Sequence, residues 1–279
     1  MNGILIVNKE KDMTSRDVVN KLCKIFNTKK IGHSGTLDPM ATGVLVVAIG
    51  KYTKLIDILT SSYKEYIATF KLGILTDTLD ITGNIIDEKM HGVDKELIED
   101  ALYSFLGTSI QEVPKYSAVK INGKKLYEYA REGKEVELPK RKIDIKEIEL
   151  YSYRGDTITF RCVVSKGTYI RSLINDIGKK LNTYATMTEL RRTKQGNFKI
   201  EDSYTLKSIE KDNYKLLTYE DIFKDYEKYY LNDEEYFKVK NGQKMPINFK
   251  NNEVIYIYND EYIALYEKVN KDARIKIMF

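Results

Sequence analysis

The chain has 279 residues, 46 Lys and Arg against 41 Asp and Glu, and a formal charge of +5, which is enough length to bury a core without covalent staples. Its two cysteines, Cys23 and Cys162, form no C-x-x-C pair, so neither a disulfide scaffold nor structural zinc is expected. Met1 to Asp12 lacks a charged-then-apolar leader pattern, and the longest apolar run, Val44 to Ile49, is too short to cross a bilayer. A cytoplasmic protein with no membrane association is expected.

In chain order, Ile4 to Val7 reads as a buried strand. Thr14 or Ser15 then caps a helix whose apolar residues Val18, Val19, Leu22, Ile25 and Phe26 recur at helical spacing. A turn-rich loop, Lys29 to Gly43, precedes a second buried strand, Val44 to Ile49. Tyr66, Ala68, Phe70 and Leu72 alternate with Ile67, Thr69 and Lys71 in a half-exposed third strand. The loop Thr76 to Gly83 interrupts the sheet, which resumes at Asn84 to Asp87. Asp94 caps a helix ending near Gly107, and Asn122-Gly123 marks a tight turn inside a basic excursion, about 113–142, that looks like an insertion.

Ile143 to Tyr153 and Thr157 to Val164 are two further strands. They lead into a helix from Thr168 with the apolar stripe Ile170, Leu173, Ile174, Ile177 and Leu181. A connecting stretch rich in Lys and Tyr follows. Short alternating runs, Val254 to Tyr258, Tyr262 to Tyr266 and Arg274 to Met278, then surround an Asn259-Asp260 hairpin turn. The expected class is α+β: a domain over 1–228 and a small all-β domain over 229–279.

Lys and Arg cluster at Lys29-Lys30, Lys124-Lys125, Lys140 to Lys142 and Arg191-Arg192. With 22 tyrosines they could meet phosphates and unpaired bases, although solvated charged faces have the same composition. Gly32 to Gly43 packs three glycines, Pro39 and Asp38 between two apolar segments. Pro39 keeps Asp38 out of the helical region, so its carboxylate sits on a constrained turn, for a ligand or merely for turn amides. Gly-x-Ser-x-Gly fails at Thr36, and no serine hydrolase is implied. Arg171 falls in the first turn of its helix, where the dipole disfavours a cation by a few tenths of a kcal/mol unless an anion answers it. Tyr66 reads first as a core tyrosine and second as a stacking ring. Asp77 and Asp80 read as loop caps and His91 as a surface residue. No motif calls for a metal, a dinucleotide or a nucleoside triphosphate.

Gly32-His33-Ser34-Gly35-Thr36-Leu37-Asp38-Pro39-Met40-Ala41-Thr42-Gly43-Val44-Leu45 resembles the signature of bacterial tRNA pseudouridine-55 synthases of the TruB type. In the same order come Met13-Thr14-Ser15, Thr76-Asp77-Thr78 with Asp80 and Gly83, Tyr116-Ser117-Ala118, Leu126 to Arg131, and Lys166-Gly167-Thr168-Tyr169-Ile170-Arg171. The likeness covers about residues 3–205. It departs at Lys9-Glu10-Lys11-Asp12, where the family has Lys-Pro-x-Gly, and at Val113, where a proline is common.

The resemblance implies a catalytic domain around a mixed, mainly antiparallel sheet, a thumb-like insertion that grips RNA, and a C-terminal PUA-like RNA-binding module. It makes Asp38 the catalytic aspartate, stacks Tyr66 on the target uracil, pairs Arg171 with Asp38, lines the pocket with Tyr169 and Leu190, and sets His33 against bases of the opened loop. The substrate it implies is the T-arm stem-loop of tRNA. The enzyme would be a monomer with no cofactor, no metal and no obligate protein partner. A non-catalytic RNA-folding module, and a synthase for ribosomal or guide-selected RNA, remain as alternatives.

Overall fold

The computed structural model describes residues 1–90 and 92–279; His91 lies outside the described residues. Its first strands are β1 (Gly3–Lys9), β2 (Ile31–His33), β3 (Thr42–Ile49), β4 (Lys64–Leu72), β5 (Ile74–Thr76) and β6 (Ile85–Glu88). Then come β7 (Gly107–Glu112), β8 (Lys120–Ile121), β9 (Lys124–Lys125), β10 (Lys140–Arg154), β11 (Thr157–Val164), β12 (Ala185–Gln195) and β13 (Phe198–Lys199). The last four are β14 (Glu227–Tyr230), β15 (Glu253–Tyr258), β16 (Glu261–Val269) and β17 (Asp272–Met278). Helices are α1 (Ser15–Ile25), α2 (Ile56–Thr60), α3 (Lys95–Tyr103), α4 (Leu126–Arg131), α5 (Ile170–Lys180), α6 (Leu206–Ile209), α7 (Tyr219–Ile222) and α8 (Asp233–Lys240).

Nine strands form one sheet in the order β1-β3-β12-β4-β11-β10-β7, with β2 added to β3 and β13 to β12. Every pairing in it is antiparallel except β12 with β3, which meet in parallel at Arg191↔Thr42 and Arg192↔Gly43. The mixed, mainly antiparallel α+β architecture is therefore present. The strict alternation of β4 buries Tyr66, Ala68, Phe70 and Leu72 on one face, where α5 lays down Ile170, Leu173, Ile174 and Ile177. β1 and β3 are covered on both faces: Leu5, Val7, Leu45 and Val47 meet Val18, Val19 and Leu22 of α1. Ile4, Ile6, Val44 and Val46 meet Tyr52, Tyr219 and Phe223 on the opposite side, together with Ile255, Ile257 and Leu265 of the C-terminal sheet.

That C-terminal sheet has four strands in the order β14-β15-β16-β17, and its hairpin turns at Asn259 and Asp260 with φ of 47° and 61°. Two positive φ angles in a two-residue turn match the right-handed twist of the flanking strands. One helix, α8, joins it; the Asn232 side chain caps α8 and is answered by Glu235 in a capping box.

Several elements differ from the sequence expectation, and β2 (Ile31–His33) lies inside the stretch expected to be a loop. β12 runs through the middle of the main sheet where only a connecting stretch is expected, because its charged residues Glu189, Arg191, Arg192 and Lys194 hide a buried strand. β5 and β6 form a separate two-stranded hairpin rather than resuming the sheet. α3 ends at Tyr103, and Gly107 already begins β7, an edge strand too polar to stand out. α5 begins at Ile170, two residues after Thr168, because Tyr169 is the extended N-cap residue. Between the paired residues Glu112 and Lys140 the chain leaves the sheet, and this excursion holds β8, β9 and α4.

Candidate active site

Asp38 opens a β-turn: its carbonyl accepts from the Ala41 amide at 3.0 Å, with Pro39 at the second position, where a fixed φ suits the turn. The turn is bolted to the first loop of the chain. The Lys9 ammonium, fully buried, donates to the carbonyls of Met13 at 2.6 Å, Glu10 at 2.9 Å and Pro39 at 3.1 Å. The Asp12 amide also donates to Pro39, and Ser15 Oγ accepts from the Leu37 amide at 2.9 Å. Burial pushes the Lys9 pKa down to about 8, against the opposing pull of the Asp38 carboxylate. Thr14, not Ser15, caps α1, which frees Ser15 to hold Leu37.

The Asp38 side chain remains 32% exposed, whereas its partner Arg171 is 6% exposed. Arg171 Nε lies 3.0 Å from Asp38 Oδ2, and Nη2 donates to Oδ1 at 3.0 Å, a two-point fork. The remaining donors reach the Thr78 carbonyl through Nη1 and the Tyr116 carbonyl through Nη2, each at 3.0 Å. A second carboxylate, Asp80, approaches Nη1 at 3.7 Å through its Oδ2. Asp80 Oδ1 is held by the Thr78 hydroxyl and by the amide and hydroxyl of Thr82. The cation at the start of α5 is thus answered by two anions, which offsets the dipole. The helix start itself is gripped from β7, since Gln111 Oε1 accepts from the Tyr169 amide at 2.8 Å and Nε2 donates to the Tyr169 carbonyl at 3.1 Å.

Tyr66 and Leu190, on adjacent strands β4 and β12, are each 7% exposed and lie in one apolar cluster with Leu37 and Met40, the residues flanking the Asp38-Pro39 turn. Tyr169 precedes Arg171 on α5 and is half-buried; burial pushes its phenol pKa up, against the charges of Arg141 and Arg171. His33 lies on β2 at the far end of the loop, with no hydrogen bond to the Asp38–Arg171 pair. Burial, and next the Arg192 charge, hold its ring below the usual imidazole range, and its Nδ1 is enclosed without a partner. A cavity of about 510 Å³ lies between the β5–β6 hairpin, α5 and the excursion, with Leu79, Tyr116 and Leu138 in its wall.

Sequence reasoning leaves out Asp80 as a site residue, and also Lys9, Gln111 and Arg192. Asp80 does cap its loop as expected; its second oxygen acquires another use only because the fold delivers Arg171. No group of side chains among the described residues is arranged to hold a metal ion. Among them, too, no helix is long and apolar enough to cross a membrane.

An open carboxylate forked to a buried guanidinium thus lies at the mouth of an apolar wall on a mixed sheet. The family model for the TruB family pseudouridylate synthase N-terminal domain matches residues 23–170, and that for the tRNA pseudouridylate synthase B C-terminal domain matches residues 171–232. The chain is 48% identical to tRNA pseudouridine synthase B of Fusobacterium nucleatum, over 95% of each chain. It is 42% identical to that of Clostridium tetani, over 99% of this chain and 98% of the relative. Among solved structures it resembles a chain of a Cbf5-Nop10-Gar1 complex, with a TM-score of 0.74 and 27% identity over 99% of this chain and 84% of that one. A chain of an H/ACA RNP bound to a substrate RNA containing 2'-deoxyuridine gives a TM-score of 0.72 at 26% identity, again over 99% and 84%. The chain belongs to the TruB family of pseudouridylate synthases.

Proposed function

We propose that this enzyme converts uridine 55 in the T-loop of tRNA to pseudouridine, with Asp38 as its catalytic carboxylate. The observation that carries the reading is the fork between Arg171 and an Asp38 that stays open to a ligand. The reaction breaks the C1'–N1 bond, turns the uracil and joins C5 to C1', with the C5 proton leaving and N1 gaining one. It needs a carboxylate aimed at the sugar or the base, and the forked guanidinium holds Asp38 in a fixed plane for that task. The target must leave the stack to reach Asp38. Tyr66, Leu190 and Tyr169 then form the wall against which the uracil turns, and His33 meets bases of the opened loop.

In this reading residues 1–228 form the catalytic domain, the excursion over 113–142 is the thumb, and 229–279 form a PUA-like RNA-binding module. The enzyme works in the cytoplasm as a monomer, on tRNA, without a protein partner. Names of the relatives support tRNA as the substrate class. Asp38→Asn is expected to abolish isomerisation while leaving tRNA affinity within about tenfold, roughly 1.4 kcal/mol. Turnover by a homogeneous Asn variant, with deamidation excluded by mass, would remove Asp38 from the chemistry, and a pseudouridine map with the product elsewhere than position 55 would remove the site assignment.

A further inference from the structure

Arg192 is among the largest fully buried side chains, 1% exposed, yet among the described residues no carboxylate pairs with it. Its guanidinium meets neutral oxygens instead: Nε donates to the Val44 carbonyl at 2.6 Å and Nη2 to the Gly35 carbonyl at 3.2 Å. Burying a cation against carbonyls alone is unfavourable, so the charge calls for a use. Burial, and after it the Arg192 charge, lowers the pKa of Lys64 and of His33, so the charge is felt on the strands around the loop.

The two carbonyls bracket Asp38 in the chain. The loop carries glycines at φ of +126° (Gly35) and +101° (Gly43), positions where the backbone is permissive and gains no order from side chains. At Gly43 a Cβ would come within 2.2 Å of the Arg192 carbonyl oxygen, so β12 and the loop touch backbone to backbone. The middle of the loop is held by Lys9 and Ser15; its ends run into β2 and β3, and Arg192 alone among the described side chains bonds to a carbonyl at each end.

We propose that Arg192 is a positioning residue for isomerisation: its buried guanidinium clamps both ends of the 35–44 loop and so holds Asp38 in line with Arg171. The inference rests on the reading of Asp38 as the catalytic carboxylate. A guanidinium suits the task because its planar fork presents separate N–H groups to two carbonyls, whereas an ammonium is a single compact point. Arg192 touches no substrate atom, since it is enclosed beneath the loop.

Arg192→Lys and Arg192→Gln, with Asp38→Asn in parallel, test it by tRNA affinity, thermal unfolding and single-turnover rate at saturating enzyme. Both Arg192 variants are expected to fold and to bind tRNA within about threefold of the parent. Arg192→Lys is expected to slow the single-turnover step by about a hundredfold, the cost of a misplaced reacting group, and to stay faster than Arg192→Gln. A parental rate per folded molecule in Arg192→Lys, a rate lost only in proportion to unfolded protein, or failure of both variants to fold would assign Arg192 to the sheet and overturn the proposal. An active Asp38→Asn removes the underlying reading instead; an inactive one beside a parental Arg192→Lys removes only the clamp.

Discussion

Arg171 and Asp38, 133 residues apart in the chain, meet in a fork with both N···O contacts at 3.0 Å. A planar guanidinium fixes the plane of the carboxylate as well as its charge, which a lysine cannot do. Arg171→Lys is therefore expected to lower the single-turnover rate by about a hundredfold while tRNA affinity changes by less than about threefold. An unchanged rate would show that the orientation of the carboxylate is immaterial.

Asp80 holds the other side of the same guanidinium at 3.7 Å and is itself nearly enclosed. Asp80→Asn removes that pull and leaves Arg171 free to lean towards Asp38. A rate loss of about tenfold, near 1.4 kcal/mol, is expected with little change in affinity. Thr82→Ala, which removes one of the three donors on Asp80 Oδ1, is expected to act in the same direction and less strongly. Opposite directions in the two variants would separate Asp80 from the site.

The excursion offers Lys124 and Lys125 with Arg141 at its return, although Lys124 is partly engaged by Glu132 and Lys125 by the Tyr127 hydroxyl. Neutralising all three is expected to weaken tRNA binding and flatten its salt dependence. The slope should fall by about two, short of the value for three full phosphate contacts because of those internal partners. A parental slope measured across the same salt range would make the three charges solvated surface.

Lys64 is buried, its ammonium bonded among the described residues only to the carbonyls of Thr60 and Ser62, and burial pushes its pKa down to about 8. Its folded pKa lies below its unfolded value, so between about pH 8 and pH 10 the unfolded chain binds more protons and stability rises with pH. Relative to Lys64→Met, the parent is expected to gain in urea midpoint as pH rises through that window. A gap that stays constant with pH would show that Lys64 titrates normally.

How much of this was legible in the sequence depended on whether a residue's environment is local. The alternation of Tyr66, Ala68, Phe70 and Leu72 announces β4, and Asn259-Asp260 announces its hairpin, because both are set by neighbours in the chain. β12 is hidden because Arg192 is a buried residue with a surface residue's chemistry; the carbonyls that satisfy it come from Gly35 and Val44. Asp80 looks complete as a loop cap, and only the arrival of α5 gives its second oxygen a partner. Asp38 stood out because Pro39 and three glycines constrain its turn locally, and Arg171 because its place at a helix start is unfavourable without an anion.

The parallel seam between β3 and β12 has a bearing on assembly. It is only two residue pairs long, and the bond from Arg192 to Val44 that reinforces it spans 148 residues. Contacts of such separation carry a high closure entropy and form late. As a growing chain leaves the ribosome, β1, β2 and β3 can pair long before β12 is made, but the bonds from Arg192 to Gly35 and Val44 must wait for it. The partners that fix Asp38 and its loop from the far side, Arg171 and Arg192, are thus added only after the Asp38 turn has been made, so a half-made chain carries the motif without its fork.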